Sequence, residues 1–246
     1  MADITDFRLY VLNLARRPDR LERIRSTLPS GLPVIFTTDW QGPFDGERLD
    51  QATLDSLGIG LFPWQTESGD ADWSRPLKVG EIGCTLHHVA AWQDAAREGT
   101  EPYVVIIEDD VLFAPDFRDR LLAALTQLEA EGPVFDLLYL GRIHYEPAED
   151  RPVSAGFVRP GLSYGAHGYL LRRTALPILL AMDPEKAVIP IDEFLPCMYM
   201  DHPRADLWKR FPVQLRALAC VPVIIADPPR GNSDIHWSAP ITAGTR

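Results

Sequence analysis

The segment Tyr103-Val-Val-Ile-Ile-Glu-Asp-Asp110 is the most informative part of the sequence for the fold class. Its first five residues are apolar and mostly β-branched, which predicts a central strand buried on both faces. Three acids, Glu108, Asp109 and Asp110, follow where that strand ends. In open α/β sheets, ligands bind beyond the carboxyl ends of the strands. The stretch therefore predicts an α/β sheet with an acidic cluster at its ligand-binding edge.

Outward from this strand, short apolar runs alternate with segments of helical period, as in an α/β domain. Further strands are predicted at residues 7–14, 33–37, 136–140, 169–171, 213–219 and 221–226. Helices are predicted at residues 18–28, 80–97, 116–131, 174–182 and 192–200, with a short helical patch near 53–57 inside a long loop, 39–75. We expect one domain over residues 1–246, with a mixed central sheet flanked by helices and a mobile tail over 228–246.

Composition excludes several classes of protein. The 246 residues carry a net charge of −11, which disfavours a nucleic-acid-binding surface. No apolar run approaches the roughly 20 residues that a membrane helix needs, and the acidic N-terminus does not resemble a signal peptide, so we expect a cytoplasmic protein without an integral membrane segment. The three cysteines are odd in number and lack CxxC spacing, which predicts reduced thiols rather than a disulfide framework.

The acidic cluster needs a physical reason, because adjacent carboxylates repel one another. Glu108 and Asp110 share a direction if the backbone stays extended, which gives two oxygen ligands suited to Mg²⁺ or Mn²⁺. The alternative is a solvated acidic loop in which an Asp caps a helix. A phosphoacceptor receiver domain also places acids at a strand end, but Gly141 stands where its phosphorylated Asp would be. Glycine has no nucleophile, so that alternative fails.

Several motifs taken in chain order resemble glycosyltransferase family 25, which includes bacterial lipopolysaccharide sugar transferases and procollagen galactosyltransferases. The resemblance lies in Asn13-Leu-Ala-Arg-Arg-Pro-Asp-Arg20, Gly80-Glu-Ile-Gly-Cys84 with His88, Glu108-Asp-Asp110, Asp136-Leu-Leu-Tyr-Leu-Gly-Arg142, Pro190-Ile-Asp-Glu-Phe-Leu-Pro196 and Asp201-His-Pro203. It extends over about residues 7–234. The departures are His87 in place of Ser, Gly165-Ala-His-Gly-Tyr169 in place of a hydroxyl- or aromatic-rich sequence, and Ser233-Asp-Ile235 in place of Ser-Asp-Thr. These departures bear on the identity of the acceptor more than on the type of reaction.

The resemblance implies a GT-A-type fold and inverting transfer of a hexose from a UDP-sugar, with UDP-galactose as first-choice donor and UDP-glucose second. It implies Mn²⁺, or Mg²⁺, bridging the diphosphate, with Glu108 and Asp110 as ligands. His236 of the tail is a candidate third ligand, and the alternative is an exposed tail histidine. The acceptor is a glycan, a hydroxylated side chain or a small metabolite. The rival is a catalytically silent member of the family that binds nucleotide sugar or a partner protein.

Inversion requires a base that faces the acceptor hydroxyl, and we assign it to Asp192. The alternative for Asp192 is a helix cap, and Glu193 is the competing base. Neighbouring residues on a helix point about 100° apart, so only one of the two is expected to face the cleft.

The remaining assignments concern the donor. Asn13, Arg17 and Arg20 are predicted to hold its uracil and diphosphate, and for the two arginines the alternative is a solvated basic helix face. Asp109 is expected to support the site indirectly. Glu81 and His88 share a helix face and are predicted to line the donor pocket. The alternative is that they form a buried polar pair without a role in binding. Cys84 and His88 have the spacing of half a zinc site, without a second Cys/His pair. The long loop contains Trp40, Trp64 and Trp73, which are expected either to stack on a ligand or to anchor the loop by packing. Residues 231–236 are expected to close over the donor.

Overall fold

The protein, described by a computed structural model over residues 6–144, 149–227, 234 and 238–241, is organised around one eight-stranded mixed sheet. The strands are β1 Phe7–Leu12, β2 Val34–Phe36, β3 Tyr103–Glu108, β4 Leu112–Phe113, β5 Leu137–His144, β6 Arg151–Ser154, β7 Phe157–Arg159, β8 Ser163–Arg172, β9 Ala217–Cys220 and β10 Ile225–Ala226. Their order in the sheet is β2-β1-β3-β8-β5-β9-β7-β6, and β4 and β10 form a separate antiparallel pair.

Helices cover both faces of this sheet. They are α1 Pro18–Thr27, α2 Gln51–Ser56, α3 Val79–Glu98, α4 Phe117–Glu131, α5 Leu176–Leu180, α6 Ile191–Tyr199 and α7 Ala205–Arg210, with single 3₁₀ turns at Gly46–Arg48, Arg173–Ala175 and Pro184–Lys186. The predicted mixed α/β class, a central sheet flanked by helices, is confirmed. No helix within the described ranges is long and apolar enough to cross a bilayer.

Strand β3 divides the core in two, as its continuous apolar sequence predicts. Val104 and Ile106 pack into the layer formed with α3, α5 and α6, whereas Val105 and Ile107 pack into the layer formed with α1 and α4. Successive side chains of a strand point to opposite faces, so the strand end inherits the same alternation. Glu108 accordingly points toward α3, and Asp109 toward α1.

The parallel pairing of β1 with β3 positions the candidate site. Leu12 is in register with Glu108, so the two strands end side by side. Asn13 and Asp109, which follow them, are joined by a hydrogen bond of 2.6 Å between the side chains. The sheet thereby brings together two motifs that lie about a hundred residues apart in sequence.

Several predicted bounds are wrong, each for a physical reason. Strand β8 extends well before the predicted 169–171 because its Gly-containing start gives no apolar pattern. Residues 213–216 precede β9, and the backbone N–H groups of Gln214 and Leu215 bind the Met198 carbonyl instead. In 221–226 only β10 is a strand, and the β6–β7 hairpin was missed because its residues are mostly polar or exposed.

Candidate active site

A cavity of about 560 Å³ lies at the carboxyl ends of β1 and β3. One part of its lining is basic and another acidic. Among the described residues that line it are Asn13, Arg16, Arg17, Arg20, Glu47, Cys84, His87, Glu108, Asp109, Asp110 and Asp234. Of the residues predicted from the sequence, the cavity therefore brings together the basic N-terminal motif and the three acids.

Asp109 links the two motifs. Its carboxylate accepts hydrogen bonds from the Asn13 amide at 2.6 Å and from the Arg20 guanidinium at 3.0 Å, and all three side chains are buried. The Arg23 side chain also donates to the Asp109 carbonyl at 3.1 Å. Both Asp109 oxygens are thereby engaged with protein donors, so Asp109 holds Asn13 and Arg20 in place, as the predicted supporting role requires.

Three arginines of the N-terminal motif converge on one carboxylate from the chain end. Asp234 forms ion pairs with Arg17, with Arg16 at 2.9 Å and with Arg20 at 3.5 Å. Nearby, residues 238–241 pair with 77–80, where the N–H of Val79 donates to the Ala239 carbonyl at 2.9 Å. The arginines thus hold an anionic group at the rim of the cavity.

Glu108 and Asp110 carry negative charge that the protein only partly offsets. Burial, together with repulsion among the neighbouring acids, raises the pKa of each carboxyl to about 7. Arg20 lies 3.3 Å from Asp110 and lowers the pKa only in part. The backbone turns at 109–110, so strand alternation does not set the direction of Asp110, although both side chains line the cavity. Two oxygen donors with excess negative charge fit a hard divalent cation.

His88 lies behind Glu108 and is fully buried. Its Nδ1 is 2.8 Å from the Tyr169 hydroxyl, which also accepts the Trp92 indole N–H at 3.0 Å. Its Nε2 is 3.3 Å from Glu108 Oε1, and burial lowers the pKa of the imidazole to about 3. His88 is therefore neutral and contacts Glu108, but it is not among the described residues that line the cavity.

Glu81 does not contact Glu108 as His88 does, although both residues lie on the predicted face of α3. Its carboxylate accepts the backbone N–H of Lys78 at 2.8 Å and pairs with Arg75. It lies outside the described lining of the cavity. The prediction that Glu81 lines the donor pocket is thus corrected, because the carboxylate caps the first turn of α3 and anchors the preceding loop.

Asp192, the predicted base, is the second residue of α6. Its carboxylate accepts the backbone N–H of Ala166 in β8 at 2.7 Å. Burial, with repulsion from Glu108 as the next cause, raises its pKa to about 7. Asp192 is not among the described residues that line the cavity, but its charge acts on Glu108, Cys84 and His88, so it lies beside the acidic end of the site.

The neighbouring Glu193 points elsewhere, as the 100° step of a helix requires. Its carboxylate accepts the Trp73 indole N–H at 2.9 Å and lies 2.6 Å from His202 Nε2. Trp64 is buried beneath the Arg204 guanidinium, and Trp40 packs against Tyr10. Of the two roles considered for the loop tryptophans, these contacts match packing anchors.

Gly83, in the Gly-Glu-Ile-Gly-Cys motif, permits a close approach to α3. A Cβ at this position would overlap the Phe44 carbonyl oxygen, and it would lie 3.1 Å from the Gly46 backbone nitrogen. The adjacent Phe44 ring stacks on His87 at 4.5 Å between centroids, and both residues line the cavity. The motif glycine therefore allows the loop that forms one wall of the cavity to pack on the helix.

We expect Gly83→Ala to destabilise the protein by about 1–3 kcal/mol, because added volume in a close-packed contact forces the backbone to shift. Helix propensity alone predicts the opposite sign, a gain of about 1 kcal/mol. Denaturant unfolding measures the difference. Gly69→Ala is the matched control, because nothing lies within 4 Å of its Cβ. A Gly83→Ala protein as stable as wild type would contradict the packing argument.

Arg16 and Asp234, which line the cavity, were missed as site residues. Arg16 stands directly before Arg17 in the same motif, and that adjacency was the available signal. Asp234 was noted only within Ser233-Asp-Ile235, because nothing local to it indicates its arginine partners. His236, predicted as a metal ligand, lies outside the described residues, as does most of the predicted lid over 231–236.

The sequence of the chain matches known proteins over most of its length. The family model "Glycosyltransferase family 25 (LPS biosynthesis protein)" matches residues 7–195. The chain is 35% identical to the human "Inactive glycosyltransferase 25 family member 3", over 93% of this chain and 38% of that protein. It is 32% identical to "Procollagen galactosyltransferase 1" of Danio rerio, over 88% of this chain and 35% of that protein. The chain thus spans less than two fifths of the length of these relatives.

Among solved structures, the chain is similar to S. aureus TarS 1-349 in complex with UDP-GlcNAc, with 12% identity and a TM-score of 0.42. The match covers 95% of this chain and 61% of that one.

Proposed function

The chain belongs to glycosyltransferase family 25, and from that premise we propose that it is a metal-dependent inverting hexosyltransferase that uses a UDP-sugar. UDP-galactose is the first-choice donor and UDP-glucose the second. The acceptor is a glycan or another hydroxyl-bearing molecule, such as an acceptor in lipopolysaccharide biosynthesis. The protein acts in the cytoplasm.

The observation that carries the proposal is that one cavity is lined by both a group of arginines and a pair of carboxylates. Arg16, Arg17 and Arg20 already form ion pairs with the carboxylate of Asp234, and guanidinium groups bind phosphate oxygens as well as carboxylate oxygens. Glu108 and Asp110 lie in the same cavity. A nucleoside diphosphate needs both features, because its anionic oxygens pair with arginine and with a divalent cation.

Each side chain then has one role. Arg17 and Arg20 bind the diphosphate, and Asp109 orients Arg20 and Asn13. Glu108 and Asp110 would hold a Mn²⁺ or Mg²⁺ ion, which supplies Lewis-acid neutralisation of the charge on the departing diphosphate. Asp192 takes the proton of the acceptor hydroxyl as that oxygen attacks the anomeric carbon from the face opposite the leaving group.

Ligand-induced melting shifts test the donor assignment, because a ligand that binds the native state stabilises it. We expect UDP, UDP-galactose and UDP-glucose to raise the melting temperature in Mn²⁺ and to have a much smaller effect in EDTA. ADP-glucose is the control for the nucleobase. Equal shifts for ADP-glucose, or no shift with any UDP compound, would contradict a UDP-sugar donor.

The second candidate function is a catalytically silent binding module, which the similarity to relatives named inactive favours. Asp192, which lies beside Glu108, supports the enzymatic alternative, because a module that only binds the nucleotide needs no base. UDP release from UDP-galactose in Mn²⁺, measured with and without candidate hydroxyl acceptors, separates the two. Binding of UDP without any release across the acceptor panel is the result expected of the silent module.

A further inference from the structure

Cys84, His88 and Glu108 present three different ligand atoms to one point. Glu108 Oε1 is 3.3 Å from His88 Nε2 and 3.8 Å from Cys84 Sγ, and all three atoms lie within 4.8 Å of one another. Cys84 and His88 are one helical turn apart in α3, and Glu108 ends β3. The donor set is therefore one sulfur, one nitrogen and one oxygen, held by two rigid elements.

One separation equals an edge of a coordination tetrahedron, and a second, the 3.8 Å between Cys84 Sγ and Glu108 Oε1, exceeds such an edge by about 0.2 Å. An ion with bonds of about 2.0–2.1 Å to nitrogen and oxygen and about 2.3 Å to sulfur keeps these ligand atoms about 3.3–3.6 Å apart. The 3.3 Å between His88 and Glu108 equals such an edge. A charge-assisted N–H···O⁻ hydrogen bond is shorter, at about 2.7–2.9 Å.

The surroundings of His88 are those of a ligating histidine. Metal-bound imidazoles have the second ring nitrogen fixed by a hydrogen bond, which sets the tautomer and the ring orientation. Here Nδ1 lies 2.8 Å from the Tyr169 hydroxyl, and the Trp92 indole N–H holds that hydroxyl in place. When Nδ1 donates to the Tyr169 oxygen, Nε2 presents its lone pair toward Glu108 and Cys84.

We propose that Cys84, His88 and Glu108 form a binding site for a thiophilic divalent cation of the Zn²⁺ class. Cys84 and Glu108 also line the cavity, so the fourth coordination position faces solvent or a bound ligand. The Cys84 S–H bond breaks and the sulfur–metal bond forms with release of one proton to solvent, because the thiolate is the ligand. Thiolate and imidazole favour Zn²⁺ and Co²⁺ over Mg²⁺ and Mn²⁺.

The shared ligand gives this site a regulatory consequence, which rests on the proposed function. Glu108 serves both the thiophilic site and the hard-ion pair with Asp110. A Zn²⁺ ion that holds Glu108 against α3 withdraws it from that pair. Zn²⁺ therefore antagonises Mn²⁺-dependent binding of the UDP donor.

Cobalt spectroscopy tests the site without donor or activity. Titration of the purified protein with Co²⁺ is expected to give a stoichiometric thiolate-to-cobalt charge-transfer band in the near ultraviolet. The band is expected in Cys220→Ala, which removes a buried thiol elsewhere, and not in Cys84→Ala, with folding of both checked by circular dichroism. Folded wild type without the band, or a band that persists in Cys84→Ala, would overturn the site.

Calorimetric titration of UDP in Mn²⁺, with and without equimolar Zn²⁺, tests the consequence. In wild type, Zn²⁺ is expected to weaken UDP binding at least tenfold. In Cys84→Ala, the ratio of affinities with and without Zn²⁺ is expected to be near one, whatever its affinity in Mn²⁺ alone. A wild-type ratio near one overturns the antagonism. Absence of UDP binding in Mn²⁺ alone instead contradicts the proposed donor, while the cobalt band still decides the metal site.

Discussion

Asp192→Asn is expected to lower the rate of sugar transfer by roughly 10²- to 10⁴-fold, the usual contribution of a positioned base. The amide keeps the size of the side chain and can still accept the Ala166 N–H that Asp192 binds at 2.7 Å. It cannot take a proton from the acceptor hydroxyl. The loss is therefore expected in the transfer rate at saturating donor, with UDP affinity near that of wild type.

Steady-state transfer and calorimetric UDP binding together check this expectation. Glu193→Gln is the matched control, because Glu193 is the adjacent acid but contacts Trp73 and His202 instead. We expect it to reduce transfer far less. Near wild-type transfer by Asp192→Asn would refute the base assignment, and loss of UDP binding in parallel with transfer would make Asp192 a donor ligand instead.

The position of Asp192 also bears on its alternative role as a helix cap. A capping carboxylate accepts a backbone N–H of its own helix. In the described part of the chain, the bond that Asp192 accepts comes from β8 across the site. Its pKa is raised to about 7 by burial and, next, by repulsion from Glu108. The bond from β8 is not that of a helix cap, and the base assignment stays a prediction that Asp192→Asn tests.

The sequence predicted those parts of the fold in which local pattern and burial coincide. Strand β3 is apolar from Tyr103 to Ile107 because both of its faces are covered, and α3 and α4 show a helical period. The β6–β7 hairpin was missed because Arg151 and Pro152 lie at an exposed edge, where burial imposes no pattern. The start of β8 was missed because Gly165 and Gly168 contribute no side chain.

For the site, motifs predicted which residues cluster at the strand ends but not the direction of each side chain. Glu81 and His88 share a face of α3, yet Glu81 turns back to the first turn of its helix while His88 reaches Glu108. The pairing of Asp234 with Arg16 and Arg17 joins residues more than two hundred positions apart. Such contacts depend on tertiary packing, which no local pattern encodes.

Donor binding is expected to require a divalent cation, so that UDP affinity falls more than about tenfold, or 1.4 kcal/mol, when EDTA replaces Mn²⁺. The reason is charge, because the diphosphate would otherwise meet the acids at the end of β3. Asp110→Asn is expected to reproduce the loss in the presence of Mn²⁺. Glu47→Gln is the control, since Glu47 lines the same cavity but pairs with Arg16 at 3.4 Å. Equal UDP affinity in EDTA and Mn²⁺ would contradict the metal assignment.

The thermal stability of Asp110→Asn shows whether the variant has lost a metal ligand or has a damaged fold. The pKa of Asp110 is raised from its ordinary value to about 7, chiefly by burial and next by Glu108, so the ionised carboxylate destabilises the folded state. This cost is absent at pH values below the ordinary pKa and is fully present above about pH 7. In EDTA at pH 8, Asp110→Asn is therefore expected to melt at or above the wild-type temperature, although it binds Mn²⁺ and UDP more weakly. A variant that melts well below wild type would mean that Asp110 supports the fold through Arg20, and its loss of UDP binding would then not identify a metal ligand.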